Sequence, residues 1–243
     1  MAAGIRLFVD APLQNGVAVG LSTDQAHYLG RVMRMAVGDG VTLFNGQDGE
    51  WRAELAELDK RAAVAVPKDR TRTQDAEAPG PWLAFAPVKK TGTDFIIQKA
   101  TELGVSRLIP VQTANTQTGR TNTDRLRATA VEAAEQCERL SVPVVDDMVD
   151  LAVLTADWPA GRTLFVLDET GGGKPLAPAA AEAAGGAVGF LVGPEGGFQG
   201  RELDSLGKLD FITPVTLGRR ILRAETACLA ALAVWQAVAG DWK

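Results

Sequence analysis

The sequence predicts an α/β protein in two parts, a small, mostly β N-terminal domain and a larger C-terminal domain with a mostly parallel sheet. From residue 82 onward strand and helix patterns alternate. Two strand candidates, "TLFVLD" and "VGFLV", are continuous apolar runs, which is typical of strands covered on both faces. Residues 67–81, "PKDRTRTQDAEAPGP", are polar and lack periodicity, as linkers do. We therefore expect domains at 1–72 and 82–243, joined by a linker at 73–81.

The N-terminal part shows four short strand patterns, "IRLFV", "VTLF", "WRAELAEL" and "AAVAV", with a strong turn signal at Asn45-Gly46 between two of them. One helix is predicted over residues 23–36, because Ser22 and Gln25 form a capping box. On one face of this helix lie His27, Arg31 and Arg34. Spacing alone favours a solvated surface there, and the alternative is a short stripe that contacts RNA phosphates.

In the C-terminal part, "WLAFAPV" and "RLIPVQ" predict strands, and residues 94–103 and 123–140 predict helices. "VGFLV" and "FITPVTL" predict two further strands. The last helix, residues 224–238, is apolar almost all round, which predicts burial on every side. One sheet face cannot cover such a helix, so we expect a homodimer through it.

Composition narrows the class of function. The chain has 243 residues, 46% of them hydrophobic, and a net charge of -5, so a nucleic-acid partner must meet a local basic surface. The only histidine is His27 and the two cysteines fit no metal spacing, which argues against a Ser-His-Asp site and against a metal centre. No secretory signal or membrane-spanning stretch is visible, so we expect a cytoplasmic protein with no membrane contact.

Familiar phosphate-binding signatures are missing. "TGGGKPL", residues 170–176, has the wrong spacing for a P-loop and is predicted to be a flexible loop. Two other loops follow predicted strands, "GPEGGF" at 193–198 and "LGRRILRAETA" at 217–227. Ligands of open α/β sheets bind beyond the carboxyl ends of the strands, and glycines let a ligand approach the backbone. Each loop alone is more simply a turn, but two of them on successive strands indicate a ligand site.

These two loops resemble the C-terminal signature of the RsmE family, the 16S ribosomal RNA uridine N3-methyltransferases of the SPOUT class. "HYLGRVMRMAVGD" (27–39), "IIQKATELGVSRLIPVQT" (96–113) and "EAAEQCERLSVP" (132–143) resemble further motifs of the family in the same order. The resemblance covers nearly the whole chain. It implies a PUA-like N-terminal domain, a trefoil-knotted C-terminal domain, a homodimer, S-adenosylmethionine as cofactor, and 16S ribosomal RNA of the small subunit as substrate.

The resemblance places the cofactor in a bend made by the two loops. The predicted cofactor-binding residues are Gly193, Pro194, Glu195, Gly196, Gly197, Leu217, Gly218, Ile221 and Leu222. With no histidine in this domain, arginines are the better candidates to stabilise negative charge on the uracil oxygens, Arg223 first and Arg220 second. Glu195 is predicted to be either the base or a structural residue.

RNA contacts are predicted for a set of polar and basic side chains: His27, Arg31, Arg34, Lys89, Lys90, Gln136 and Arg139. Gln136 and Arg139 either reach the base or the neighbouring subunit, or form helix-terminal hydrogen bonds. The chain departs from the family pattern at Tyr28, at Gln199-Gly200 and at "NTQTGR" (115–120). Two rival functions stay open, ribose 2′-O-methylation by a SPOUT enzyme and a non-catalytic RNA-binding assembly factor.

Overall fold

A computed structural model describes residues 4–74, 80–168 and 170–242, so part of the predicted linker, residues 75–79, lies outside the described residues. The chain forms two compact units. The first contains the described residues up to 74 together with Ala134–Val142, and the second contains the rest. The expected domains at 1–72 and 82–243, with a linker at 73–81, stay a prediction.

The first unit is built around a five-stranded sheet. Its elements are β1 (Arg6–Phe8), β2 (Val19–Leu21), α1 (Thr23–His27), a π-helical turn (Tyr28–Val32), β3 (Gly40–Phe44), β4 (Glu50–Leu58) and β5 (Ala63–Arg72). The strand order is β1-β3-β4-β5-β2, and only β1 and β3 pair in parallel. Inward side chains such as Leu29, Leu43 and Leu55 form a fully buried core. The four strands predicted for this part are confirmed. The sequence missed β2.

The predicted helix over 23–36 is shorter than expected. Its capping box is present, since Ser22 and Gln25 exchange both hydrogen bonds. The α-helix ends at His27 and continues as one π-helical turn, in which the Met33 N–H donates to the Tyr28 carbonyl at 3.0 Å. Arg34 then adopts a left-handed backbone with φ 56°, which a helix cannot contain. The helical face predicted to carry His27, Arg31 and Arg34 together is therefore not formed.

The turn predicted at Asn45-Gly46 joins β3 to β4. The Asn45 side-chain oxygen accepts from the N–H groups of Gln47 and Asp48, which closes an Asx-type turn. The Asp48 carboxylate in turn accepts from the Leu13 N–H at 2.9 Å and from the Asn45 amide at 2.7 Å. These two donors, the Leu13 N–H first, lower the pKa of Asp48 from its usual 3.8.

Arg6 holds the segment Ala134–Val142 within the first unit. Its guanidinium pairs with Glu50 at 2.7 Å and donates to the carbonyls of Ala134 at 2.9 Å and Arg139 at 2.5 Å. It also stacks over the Phe44 ring, 3.8 Å from the centroid. The side chains of Arg6 and Glu50 are only 8% and 13% exposed, so this pair is almost fully desolvated. Sequence patterns did not predict the hydrogen bonds from Arg6 to Ala134 and Arg139, because these residues are more than a hundred positions away from Arg6.

The second unit is an α/β domain. Its elements are β6 (Trp82–Phe85), α2 (Lys90–Glu102), β7 (Arg107–Gln112), α3 (Thr123–Gln136), β8 (Val144–Val145), β9 (Val149–Asp150), α4 (Leu151–Ala156), β10 (Arg162–Leu167), β11 (Lys174–Pro175), α5 (Leu176–Glu182), β12 (Ala187–Val192), α6 (Gly200–Leu206), β13 (Ile212–Thr216) and α7 (Ala224–Val238). The end of α3 counts with the first unit by its contacts.

The sheet of the second unit has the order β11-β13-β10-β12-β6-β7-β8, with β9 paired to β7. Every strand pair found in it among the described residues is parallel, which confirms the predicted mostly parallel sheet. Phe165 and Phe190 stack with their ring centroids 5.5 Å apart, and Trp235 of α7 packs edge-on against Phe190. The continuous apolar runs are thus the central strands, as expected for strands covered on both faces.

Several predicted boundaries in the chain are wrong. Helix α2 begins at Lys90, four residues before the predicted start, because its first turn carries no apolar period to mark it. Helix α3 ends at Gln136, since Glu138 takes a left-handed φ of 61°. Strand β5 extends to Arg72 through sequence that reads as linker. Lys174 and Pro175, assigned to a flexible loop, form the edge strand β11 against β13.

Helix α7 has the predicted bounds, and the single chain buries one side of it. Cys228, Leu232 and Trp235 are buried, whereas Leu229, Ala233 and Val234 are partly exposed along the opposite side. Burial raises the pKa of the Cys228 thiol well above its usual range, so the group stays protonated. Within one chain the helix therefore leaves an apolar stripe uncovered. Among the described residues no helix is long and apolar enough to span a membrane.

Candidate active site

A cleft opens where three neighbouring strands end. Strands β13, β10 and β12 lie side by side and run parallel, so the loops that follow them meet at one edge of the sheet. The cleft between these loops and the start of α7 encloses about 740 Å³, part of it open to solvent. It is the topological position at which open α/β sheets bind their ligands.

The walls of the cleft are mostly apolar with a few polar groups at the mouth. They are formed by Leu167, Asp168, Thr170, Val192, Gly193, Pro194, Glu195, Gly197, Phe198, Leu203, Val215, Thr216, Leu217, Gly218, Arg220, Ile221, Leu222, Ala224 and Ala227. All the predicted cofactor-binding residues except Gly196 are among them. The structure therefore brings the two predicted loops together at one cleft.

The loop after β12 needs its glycines for internal reasons. Gly197 has φ 65°, a left-handed conformation that strains other residues. A Cβ on Gly193 would lie 3.0 Å from the Phe198 ring, and a Cβ on Gly196 would lie 3.3 Å from Asn115. In the second loop Gly218 has φ 106°. These glycines fix the shape of the cleft wall.

Asn115 clamps the loop after β12 from the neighbouring loop after β7. Its side-chain amide donates to the carbonyls of Gly196 and Gly197, both at 3.0 Å. Its side-chain oxygen lies 3.4 Å from the amide nitrogen of Gln199, which donates to it. Asn115 and Gln199 belong to two different stretches in which the chain departs from the family pattern. The structure shows that these two departures contact each other.

Glu202 completes this support. One carboxylate oxygen accepts from the Ala114 N–H at 2.9 Å and the other accepts from the Gln199 N–H at 2.8 Å. Gln199 is a poor N-cap residue by type, but the Glu202 carboxylate accepts from its N–H and so stabilises the start of α6. The loop after β7 is thus joined to the loop after β12 and the start of α6 by three hydrogen bonds between side chains and backbone groups.

Sequence reasoning missed the third wall of the cleft, the loop after β10. Asp168 directly follows this strand, and its carboxylate accepts from the Thr170 N–H and hydroxyl, both at 2.8 Å. A signal was present, because "TLFVLD" predicts a strand and a glycine-rich stretch follows it. The clamp residue Asn115 carried no comparable signal.

The three candidate catalytic residues have different positions. Arg220 and Glu195 line the cleft and are solvent-exposed. Arg223 is the N-cap residue of α7, is exposed, and does not line the cleft. In the described part of the second unit, none of the three forms an ion pair.

The predicted RNA-contacting residues divide between the two units. In the first unit His27, Arg31 and Arg34 are exposed at and after the π-helical turn. Arg139, also in this unit, donates to the Ser141 hydroxyl at 3.2 Å, and its carbonyl accepts from Arg6. Gln136 ends α3 and is exposed. In the second unit Lys89 and Lys90 are exposed at the start of α2.

The cleft fits S-adenosylmethionine in its chemistry. Leu167, Val215 and Leu222 offer apolar surface for an adenine ring, and the loops offer backbone donors and acceptors. The carboxylates of Asp168 and Glu195 offer negative charge to a ligand with a sulfonium and an ammonium group. In the described residues no group of His, Cys, Asp and Glu side chains is placed to hold a metal ion.

Comparison with known proteins identifies the class first. Residues 77–236 match the family model of an RNA methyltransferase domain, and residues 21–68 match that of an RNA methyltransferase PUA domain. A ribosomal RNA small subunit methyltransferase E from Rickettsia conorii is 30% identical over 94% of this chain and 93% of its own length. The protein of that name from Synechocystis is 35% identical over 88% of this chain and 71% of its own length.

Solved structures agree. A ribosomal RNA small subunit methyltransferase E from Neisseria gonorrhoeae, bound to S-adenosyl methionine, superposes with a TM-score of 0.89 at 28% identity and covers 99% of this chain and 100% of its own. A putative methyltransferase from Legionella pneumophila, in complex with the same cofactor, gives 0.87 at 26% identity, with 97% and 98% covered. This chain belongs to the ribosomal RNA small subunit methyltransferase E family. The predicted family, the SPOUT-type α/β domain and the PUA-like N-terminal unit are confirmed, while the trefoil knot stays a prediction.

Proposed function

We propose that this protein transfers a methyl group from S-adenosylmethionine to ring nitrogen 3 of a uridine in 16S ribosomal RNA of the small ribosomal subunit. One observation carries the proposal: the loops after β10, β12 and β13 form a single cleft whose lining suits the cofactor. Support comes from the relatives, which are named for methylation of small-subunit ribosomal RNA, and from the cofactor in the Neisseria and Legionella structures.

When bound, S-adenosylmethionine supplies an electrophilic methyl group on its sulfonium. The protein's part is to hold the reacting atoms in line, and positioning of this kind supplies much of the acceleration in two-substrate reactions. In our proposal the backbone of residues 193–197 and 217–222 binds the cofactor. Asp168 joins this set, since its carboxylate is fixed by Thr170 at the cleft wall.

Negative charge that develops on the uracil must be stabilised, because the imide nitrogen carries a proton and is a weak nucleophile. Arg220 lies in the cleft wall, where its guanidinium can donate to a uracil oxygen as negative charge develops. Arg223 begins α7 immediately beside the cleft residues Leu222 and Ala224 and is proposed for the same role. Glu195 either takes the proton or orders the loop.

RNA would be held through its phosphates by exposed cations. The proposed residues are His27, Arg31 and Arg34 in the first unit and Lys89 and Lys90 in the second, with Gln136 and Arg139 at the end of the α3 segment. Nitrogen 3 lies on the pairing edge of uracil, so the target base must be unpaired or flipped out. A cytoplasmic location, a homodimer through α7 and domain boundaries at 72 and 82 belong to the same proposal.

Methyl transfer from labelled S-adenosylmethionine to small subunits that lack the modification, followed by nucleoside mass spectrometry, tests the proposal. A 3-methyluridine product is expected. A 2′-O-methylated nucleoside would show that the protein methylates the ribose and not the base. If calorimetry shows cofactor binding but no methyl group is transferred, the substrate is a different RNA. The absence of both would leave a non-catalytic RNA-binding assembly factor.

A further inference from the structure

A second cavity lies in the same unit, away from the loops of the cofactor cleft. It is bounded by the start of α2, by residues 118–122 and by the first turn of α3, and it encloses about 1110 Å³, part of it open to solvent. None of its lining residues lines the cofactor cleft. The proposed chemistry of methyl transfer therefore leaves this cavity without a role.

The cavity is cationic. Lys90, Arg120 and Arg125 line it, against the single carboxylate of Asp124. Arg125 forms an ion pair with Asp94, a residue outside the lining. Lys90 and Arg120 are exposed, and within the part of the chain that the structure describes neither forms an ion pair. Two unpaired cations on one concave surface attract an anion.

One polar group in the lining has no partner. The hydroxyls of Thr93 and Thr118 both donate to the Val88 carbonyl, at 3.0 and 3.2 Å. The hydroxyl oxygen of Thr121 is buried and has no hydrogen-bond partner among the described residues. Buried polar atoms are almost always satisfied, so an orphaned hydroxyl beside two unpaired cations is best explained by a ligand that accepts its hydrogen bond.

The residues that form the cavity are held in place. The Asn122 side chain accepts from the Arg125 N–H at 3.0 Å and so caps α3, and Thr123 donates to Asp147 at 2.5 Å. Arg120 and Thr121 immediately precede this cap. Their backbone therefore leads into a fixed helix start, and the site does not depend on a free loop.

The lining also indicates which part of an RNA molecule fits. Val88 is its only hydrophobic side chain, and no aromatic ring is present on which a base could stack. Guanidinium, ammonium and hydroxyl groups are the donors that contact RNA phosphates. A base has little to recognise in this cavity, while a phosphate group matches all of its unpaired donors.

We propose that this cavity, here named the phosphate pocket, binds a phosphodiester group of the RNA substrate through Lys90, Arg120 and the Thr121 hydroxyl. The inference rests on the proposed function, since it takes RNA to be the substrate. It adds Arg120 and Thr121 to the RNA-binding surface and gives Lys90 a defined partner. The pocket positions RNA and takes no part in the chemistry.

The test measures the affinity of the full-length protein for protein-free 16S ribosomal RNA transcript by filter binding over a range of salt concentrations. Arg120→Gln is expected to weaken binding by about tenfold or more, as for loss of one charged hydrogen bond. The slope of log affinity against log salt concentration should also become less steep by about 0.7. The matched control is Arg201→Gln on α6, which removes the same charge at an exposed position outside both cavities.

Thr121→Val provides a second, nearly isosteric test. If the hydroxyl contacts RNA, this variant binds the transcript a few-fold more weakly with an unchanged salt slope, because no charge is removed. If the hydroxyl only lies buried without a ligand, its removal leaves RNA affinity unchanged and raises the thermal midpoint. That result, together with equal affinities for Arg120→Gln and Arg201→Gln, would overturn the phosphate pocket.

Methyl transfer by the same variants separates this inference from the proposed function. If the wild-type protein methylates small subunits and Arg120→Gln behaves like its control, the pocket fails and the function stands. The opposite outcome is that the wild-type protein transfers no methyl group while Arg120→Gln binds the transcript more weakly and with a smaller salt dependence than its control. In that case the phosphate pocket is supported and the proposed reaction is wrong. Cofactor affinity by calorimetry should be equal in all these variants.

Discussion

At the scale of single residues, the cofactor cleft depends on side chains that never line it. Asn115 is the main example, because it holds the carbonyls of Gly196 and Gly197 from another loop. We expect Asn115→Ala to weaken S-adenosylmethionine binding by about tenfold or more, since each of two lost hydrogen bonds contributes about 1 kcal/mol. Isothermal calorimetry measures the effect. Gln117→Ala, an exposed neighbour, is the control, and equal affinities in the two variants would show that the clamp is irrelevant to the cofactor.

Backbone conformation gives a second prediction at this scale. Gly218 has φ 106°, where a Cβ is strained by about 1–3 kcal/mol although no neighbour would touch it. Gly218→Ala should therefore weaken cofactor binding by about tenfold through the loop's geometry. Gly200→Ala is the matched control, because Gly200 has open space around it and no positive φ. An unchanged affinity in Gly218→Ala would mean that this loop does not shape the cofactor site.

The two arginines make a third prediction. Arg220 lies in the cleft wall and Arg223 does not, so their variants should differ. Arg220→Ala is expected to lower both cofactor affinity and kcat, while Arg223→Ala should lower kcat by about 10²-fold or more with cofactor affinity mostly kept. Single-turnover kinetics and calorimetry separate the two effects. Near-normal turnover in Arg223→Ala would remove that residue from the proposed catalytic groups.

At the scale of elements, the β3–β4 turn has a pH-dependent part. The Leu13 N–H and the Asn45 amide hold the pKa of Asp48 below its usual 3.8. A lowered folded-state pKa contributes stability that is fully present above the unfolded value and is lost as the pH falls through the folded pKa.

Asp48→Asn should therefore destabilise the protein near neutral pH, and the difference from wild type should shrink below about pH 3.8. Urea unfolding at several pH values measures it. Asp204→Asn, at an exposed position of α6, is the control. A difference that stays constant down to pH 2 would show that the substitution acts through packing and not through the carboxylate's charge.

At the scale of the whole molecule, the open question is what covers α7. Its buried side packs on the sheet, and Leu229, Ala233 and Val234 leave an apolar stripe partly exposed. Because an uncovered apolar stripe next to an active site favours association, we predict a homodimer through this helix.

Ala233→Glu places a charge on that stripe and should shift the dimer toward monomer, measured by light scattering after size exclusion. Ala152→Glu, the same change at an exposed position of α4, should leave the dimer intact. Circular dichroism confirms that both variants are folded. A wild-type protein that is monomeric at micromolar concentration would remove the dimer from the proposal.

The sequence by itself determined the class of fold, the family and most of the central strands. Continuous apolar runs can be read locally, because a strand covered on both faces needs apolar side chains at every position. Glycine loops after such strands also indicated one cleft, since parallel strands end at one edge. The ends of the first helical segment and of α3 were predicted wrongly. Both segments are followed by a residue with left-handed backbone, Arg34 and Glu138, and neither residue type indicates that conformation in a sequence.

Only the tertiary structure decided what joins distant parts of the chain. It placed Asn115 against the loop after β12, Asp168 in the cleft wall, and Lys90 in one cavity with Arg120 and the orphaned Thr121 hydroxyl. It also placed the carbonyls of Ala134 and Arg139 within hydrogen-bond distance of the Arg6 guanidinium. Each of these is a contact between groups far apart in sequence, or an absence of contact. Periodicity records only which face of an element is apolar, so hydrogen bonds between loops leave no trace in it.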